Sequence, residues 1–154
     1  MPKDYYLKLD ASNIRTTYSD LVTCYLIILN HFDNNIEVSS TGEKELYDQL
    51  ANKYRSIDKD TIIKDANFKN LRVEIVKEQK QLLDFLLKKI SENKPVLLAV
   101  SELGEVKYKV VNGFLGYGSY IFINPSYKRE FVVGPKLMLL LAKLPNRVWA
   151  ASFS

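Results

Sequence analysis

The sequence predicts an α+β domain in which helices come first and a mainly antiparallel sheet comes last. Three observations predict it. The run "DLVTCYLIILNHF" at 20–32 is apolar on nearly every side, as a buried helix is. Residues 78–92, "EQKQLLDFLLKKISE", place Leu82, Phe85, Leu86 and Ile90 on one helical face. From position 94 onward, short β-rich runs are separated by Gly, Pro and Asn.

The elements follow in order. The central helix at 20–32 has Ser19 or Asp20 as its cap, because a short side-chain acceptor satisfies the free amides of a first turn. In "STGEKELYDQLANKY", Leu46, Leu50 and Tyr54 form the stripe of a second helix, with Ser40 or Thr41 as caps. A third short helix covers "DKDTIIKDANF". "LRVEIV" at 71–76 alternates as a strand with one buried face. After the helix at 78–92, "KPVLLAV" is a wholly apolar strand opened by Pro95, where the missing amide does little harm. Strands at 107–114 and 119–123 are joined through Gly116 and Gly118, "GPKLMLLLAKL" is a helix with Pro135 in its first turn, and "RVWAASF" is a closing strand. One domain over 1–154 accounts for the length, and folding buries roughly two-thirds of the unfolded chain's surface.

Composition removes several function classes. Hydrophobic residues make up 47% and charged residues 26%, an ordinary globular balance. The net charge is +4, and lysines alternate with acidic residues, so no basic stripe marks a nucleic-acid partner. One cysteine, Cys24, excludes an internal disulfide and fits a reducing compartment, and one histidine, His31, leaves little for a metal site. "MPKDYYLKLD" has no signal-peptide core, and "LMLLLA" is far shorter than the ~20 residues of a membrane helix. A soluble domain without metal or cofactor, and without direct insertion into a membrane, is expected.

Cys24 and His31 do not form a catalytic pair on one helix. Their spacing separates them by about 10 Å along the axis at ~1.5 Å per residue. A mid-helix apolar setting also raises a thiol's pKa. "GFLGYGSY" has no Gly-Lys-Ser after it and opens no helix, so it is a hairpin turn rather than a phosphate loop. Ten tyrosines are many for this length, and Tyr108, Tyr117, Tyr120 and Tyr127 gather around the later strands. Such amphipathic rings suit recognition surfaces.

The order of these patterns resembles the papain-like domain of double-glycine leader peptidases, found at the N-terminus of bacteriocin-exporting ABC transporters. That family opens a helix with Asp-Cys-Gly-Ala-Ala-Cys-Leu and continues to an aromatic pair. "SDLVTCYLIILNHF" is similar in length and apolar pattern, with Cys24 on the second, structural cysteine and His31–Phe32 on the pair. "LLDFLLKKISENKPVLLAV" resembles the family's helix–strand unit, and "KYKVVNGF" and "IFINPSY" stand where its His-Tyr-Val-Val and Asn-Asp-Pro strands stand. The resemblance implies a papain-like cysteine peptidase fold. It also puts Asp20 at the nucleophile, Ile14 near the oxyanion glutamine, Lys107 at the general base and Asn124 at the orienting aspartate.

None of the four keeps its usual form. A carboxylate cannot stand in for a thiolate in acyl transfer at neutral pH, and a lysine is a poor base unless desolvated. The frame is therefore expected to hold no peptidase chemistry. The resemblance is closest to the inactive peptidase-like domain of haemolysin-type exporters, which binds the secreted substrate. It implies a recognition domain at the cytoplasmic face of the inner membrane, contacting the membrane and nucleotide-binding domains of an ABC exporter. Its cargo would be a secreted peptide or unfolded polypeptide, with Tyr18, Tyr108, Tyr117 and Tyr127 as candidate contacts. Asp20 and Lys107 are expected to form an ion pair, direct or through water, where the thiolate–imidazolium pair would sit. The rival expectation is an active hydrolase or transferase using Asp20 and Lys107 as an acid–base pair.

Overall fold

The computed structural model describes residues 5–6, 19–115, 119–124, 128–133, 137 and 148–154. Its elements are β1 (Tyr5–Tyr6), α1 (Asp20–Phe32), α2 (Ser40–Lys53), α3 (Lys59–Phe68), β2 (Val73–Val76) and α4 (Gln79–Ser91). Then come β3 (Val96–Glu102), β4 (Glu105–Leu115), β5 (Ser119–Asn124), β6 (Lys128–Val133) and β7 (Ala150–Phe153). The architecture is α+β, and every strand pairing among the described residues is antiparallel.

The strand order is β2-β7-β3-β4-β5-β6, with β1 beside the end of β4 through Tyr5–Phe114 and Tyr6–Gly113. β3 is apolar from Val96 to Val100 because both its faces are covered there. Leu97 and Ala99 pack with α1, α2 and α3, while Val96, Leu98 and Val100 pack with Leu82, Leu86 and Ile90 of α4. The helices are thus not gathered in one half of the fold, since α4 closes the face opposite the other three. β4 bulges between Val111 and Gly113 against β5.

α1 explains its own sequence. Every residue from Leu21 to Leu29 is buried, and each large apolar side chain so placed stabilises by about 1.5–3 kcal/mol. Its cap is Ser19, whose side chain accepts from the Val22 amide at 3.5 Å. The cap of α2 is Ser39, one residue earlier than expected, and its hydroxyl accepts from Gly42 N at 3.0 Å. Asn70 and Asn93, just after α3 and α4, take positive φ, which asparagine tolerates better than most residues. β1 and β6 were not expected from the sequence. The hairpin between β3 and β4 turns through Leu103 and Gly104, both with positive φ. The expected Gly116–Gly118 turn lies outside the described residues. So does the helix expected from Gly134, except Leu137, which is helical and buried against α4. No helix among the described residues is long and apolar enough to cross a membrane.

Candidate functional site

Among the described residues, three segments line an open cleft of about 420 Å³. Ser19, Asp20 and Leu21 begin α1 on one side, Ile57 and Asp58 precede α3 on another, and Val106, Lys107 and Tyr108 of β4 form the third.

Buried polar contacts hold these segments together. The Cys24 thiol, one turn beyond Asp20, donates to the Tyr108 carbonyl at 3.4 Å and so fixes α1 against β4. The Thr23 hydroxyl lies 2.8 Å from Glu43 Oε1 and 2.9 Å from the Ser19 carbonyl, linking the first turn of α1 to α2. Asp58 caps α3 with a reciprocal box: its carboxylate accepts from Thr61 N at 2.9 Å, and its own amide donates to Thr61 Oγ1 at 3.3 Å. The half-buried Tyr108 ring packs edge-on against Trp149, with centroids 6.3 Å apart.

The resemblance implies that Asp20 and Lys107 are neighbours, and the fold brings both to this cleft. The direct ion pair is not what forms. Lys107 Nζ lies 3.1 Å from Glu105 instead, and among the described residues Asp20 has no ion-pair partner within 4.0 Å. The reason is local. Glu105 and Lys107 are two apart on one strand, so their side chains share a face, whereas Asp20 must reach across from another element.

The protonation states follow from these contacts. The Glu105 contact, and after it the charge of Asp20, raise the Lys107 pKa above its ordinary value. Lys107 is therefore an ammonium at neutral pH and has no lone pair to act as a base. Burial pushes the Cys24 thiol well up, and the Asp20 charge adds to that, so no thiolate forms there. His31 stands at the other end of α1 with Nε2 3.1 Å from the Asn93 carbonyl oxygen, and it does not line the cleft. Hydrogen bonds, led by that from the Thr61 amide, hold Asp58 below the ordinary carboxylate range.

Asn124 ends β5 one residue beyond the Ile123–Val110 pair, so its backbone is level with Lys109, two positions along β4 from Lys107. Ile14, Tyr18, Tyr117 and Tyr127 lie outside the described residues. Of the tyrosine candidates, Tyr108 lines the cleft, and Tyr120, noted with them, is buried against α4. The sequence reading missed Ile57, Asp58 and Glu105. The Asp58-x-x-Thr61 spacing is a legible cap signal, but that it meets the start of α1 is a tertiary fact. Among the described residues no three His, Cys, Asp or Glu side chains group to hold a metal ion.

What the arrangement offers is a cleft lined by charged and hydroxyl side chains, with apolar groups from Leu21, Ile57 and Val106. No protein-family model matches this chain, and no curated protein is found similar to it.

Proposed function

We propose that this chain is a catalytically inactive peptidase-like domain that recognises a peptide or unfolded polypeptide for an ABC-type exporter. In this reading the fold is papain-like. The starts of α1 and β4 and the end of β5 stand where nucleophile, base and orienting group would stand. The domain holds the secreted chain at the cytoplasmic face of the membrane, beside the membrane and nucleotide-binding domains of the transporter.

One observation carries the reading: the cleft lies between the start of α1 and β4, with a carboxylate, Asp20, and a protonated ammonium, Lys107, in it. A lysine acting as a base needs a lowered pKa, and here its neighbours raise it. That favours binding over an Asp20/Lys107 hydrolase or transferase.

The test is a titration of the chain with candidate leader peptides and unfolded substrate segments, with cleavage followed by mass spectrometry in the same tubes. Saturable binding without new fragments is expected. Turnover abolished by Asp20→Ala or Lys107→Ala would replace this reading with the enzymatic one.

A further inference from the structure

The outer edge of β4 has a specific pattern of backbone groups where it borders the cleft. The Ala99 amide donates to the Trp149 carbonyl at 3.1 Å, so the backbone of Ala99 faces β7, away from β4. Its partner in register is Tyr108, whose carbonyl accepts from Cys24. Ala99–Tyr108 is therefore a non-hydrogen-bonded pair of the β3–β4 ladder. Such pairs alternate, so Ser101–Val106 is another. The amide and carbonyl of Val106 and the amide of Tyr108 consequently point outward. Among the described residues, β5 covers this edge only from Val110 onward. Val106 and Tyr108 are themselves cleft-lining residues, and Val106 is 44% exposed. Among the described residues, the cleft thus contains a short length of strand with no partner on its outer side.

The charges around it are unbalanced. Among the described residues, Asp20 and Asp58 line the cleft with one cation, Lys107, which Glu105 already engages. The Lys59 ammonium, next to Asp58 in the chain, is turned to the Trp149 ring, 5.7 Å from its centroid. Asp58 uses its oxygens to cap α3 and keeps its full negative charge. The chain as a whole carries +4, so its overall field favours anions, while the described lining of this cleft carries two carboxylates to one ammonium.

The geometry points to a cleft that pairs an extended, cationic peptide segment with the open edge of β4, a lysine or arginine of that segment being balanced by Asp20 and Asp58. The backbone ladder supplies affinity, and the two carboxylates supply the choice of side chain. This inference rests on the reading of the cleft as a peptide site.

The experiment titrates the full chain with short, end-blocked Thr/Val peptides carrying a central lysine, norleucine or glutamate, and with a backbone N-methylated copy of the lysine peptide. The lysine peptide is expected to bind about fivefold tighter than the norleucine one at low salt, the preference of an exposed charge pair. The preference should fade at high salt, where screening shortens to a few ångströms. The glutamate peptide should bind weakest, and N-methylation should abolish binding because it removes the strand pairing. Asp20→Asn and Asp58→Asn should each narrow the gap between the lysine and norleucine peptides toward equal affinity. Asparagine still caps α3, so the second variant folds. Equal affinity for all three side chains would overturn the cationic preference while leaving a peptide site standing. Undiminished binding of the N-methylated peptide would overturn the strand pairing. Binding of none of the peptides would overturn this inference; if the leader and substrate segments also failed to bind, the proposed function would fall with it.

Discussion

Tyr25→Phe removes one hydroxyl from the centre of the fold, and the structure sets its cost. The Tyr25 side chain is fully buried, and its hydroxyl donates to Asp65 Oδ2 at 2.6 Å. Asp65 is itself 3% exposed, and its other described contact is an ion pair with Lys69, whose side chain is one-third exposed. Phenylalanine keeps the ring and its packing near Phe153, so almost no cavity opens. What is lost is a hydrogen bond to a buried charged group, worth about 1.5–3 kcal/mol. Burial, and after it the bond to Asp65, push the phenol's pKa far up, so the hydroxyl stays a donor throughout the neutral range. For a chain of this length, a loss of ~2 kcal/mol lowers Tm by about 4–8 °C. Urea unfolding should shift its midpoint by about 1 M at an m-value of ~2 kcal/mol/M, with the slope unchanged. A double-mutant cycle with Asp65→Asn should show coupling of about 1 kcal/mol or more. Tyr25→Phe within ~0.5 kcal/mol of the parent chain, or simple additivity in the cycle, would refute the reasoning.

Three further outcomes are expected. Gly42→Ala should destabilise by about 2–3 kcal/mol in thermal melts, because an added Cβ would lie 2.2 Å from the Glu37 carbonyl oxygen. At an unconstrained helical site the same change stabilises by about 1 kcal/mol, so the sign decides. Leu103→Asn should raise Tm by about 2–3 °C, since Leu103 is fully exposed with φ of 52° and Asn-Gly suits a hairpin turn with two positive φ angles. An unchanged Tm would mean that the turn carries no strain. Asp58, through the Thr61 amide, and Glu74, through its hydrogen bond from Lys89, have pKa values below the ordinary 3.8 and 4.5. A carboxylate with a lowered folded pKa contributes stability above its unfolded pKa and loses it as pH falls through the folded value. Tm should therefore fall on acidification below about pH 5, modestly because both groups are exposed and screened, and a flat profile in Asp58→Asn and parent alike would refute the Asp58 share.

Much of the fold was legible because burial writes itself into the sequence. α1 reads as a central helix since apolar residues surround it. β3 reads as a covered strand because six consecutive residues, Val96 to Ser101, are buried and five of them are apolar. The illegible elements lack such a mark. β1 is two residues long, and β6 opens with Lys128, Arg129 and Glu130, which show no apolar alternation. The β3–β4 turn hid because leucine is a poor residue for positive φ, so Leu103 gives no turn signal even though Gly104 follows it. The cap of α2 slipped by one residue because "SSTG" offers three hydroxyls in succession and only backbone geometry selects Ser39.

The site was half legible for a related reason. The resemblance implies that Asp20 and Lys107 share one cleft, but the partner each side chain takes is decided within a few ångströms. Lys107 turns to Glu105 because a same-face strand neighbour is held in reach by the pleat, at no cost in tertiary order. That contact leaves Asp20 without an ion-pair partner within 4.0 Å among the described residues, and Asp58 lines the same cleft from a segment the sequence gives no reason to place there. Among the described lining residues the carboxylates outnumber the ammonium two to one, and strand geometry satisfies that ammonium locally. An Asp20–Lys107 pair would have closed the cleft with a neutral bridge. The Glu105–Lys107 pair instead leaves two carboxylates facing an open strand edge, and Glu105→Gln should return Lys107 to Asp20 and weaken the preference for a cationic segment.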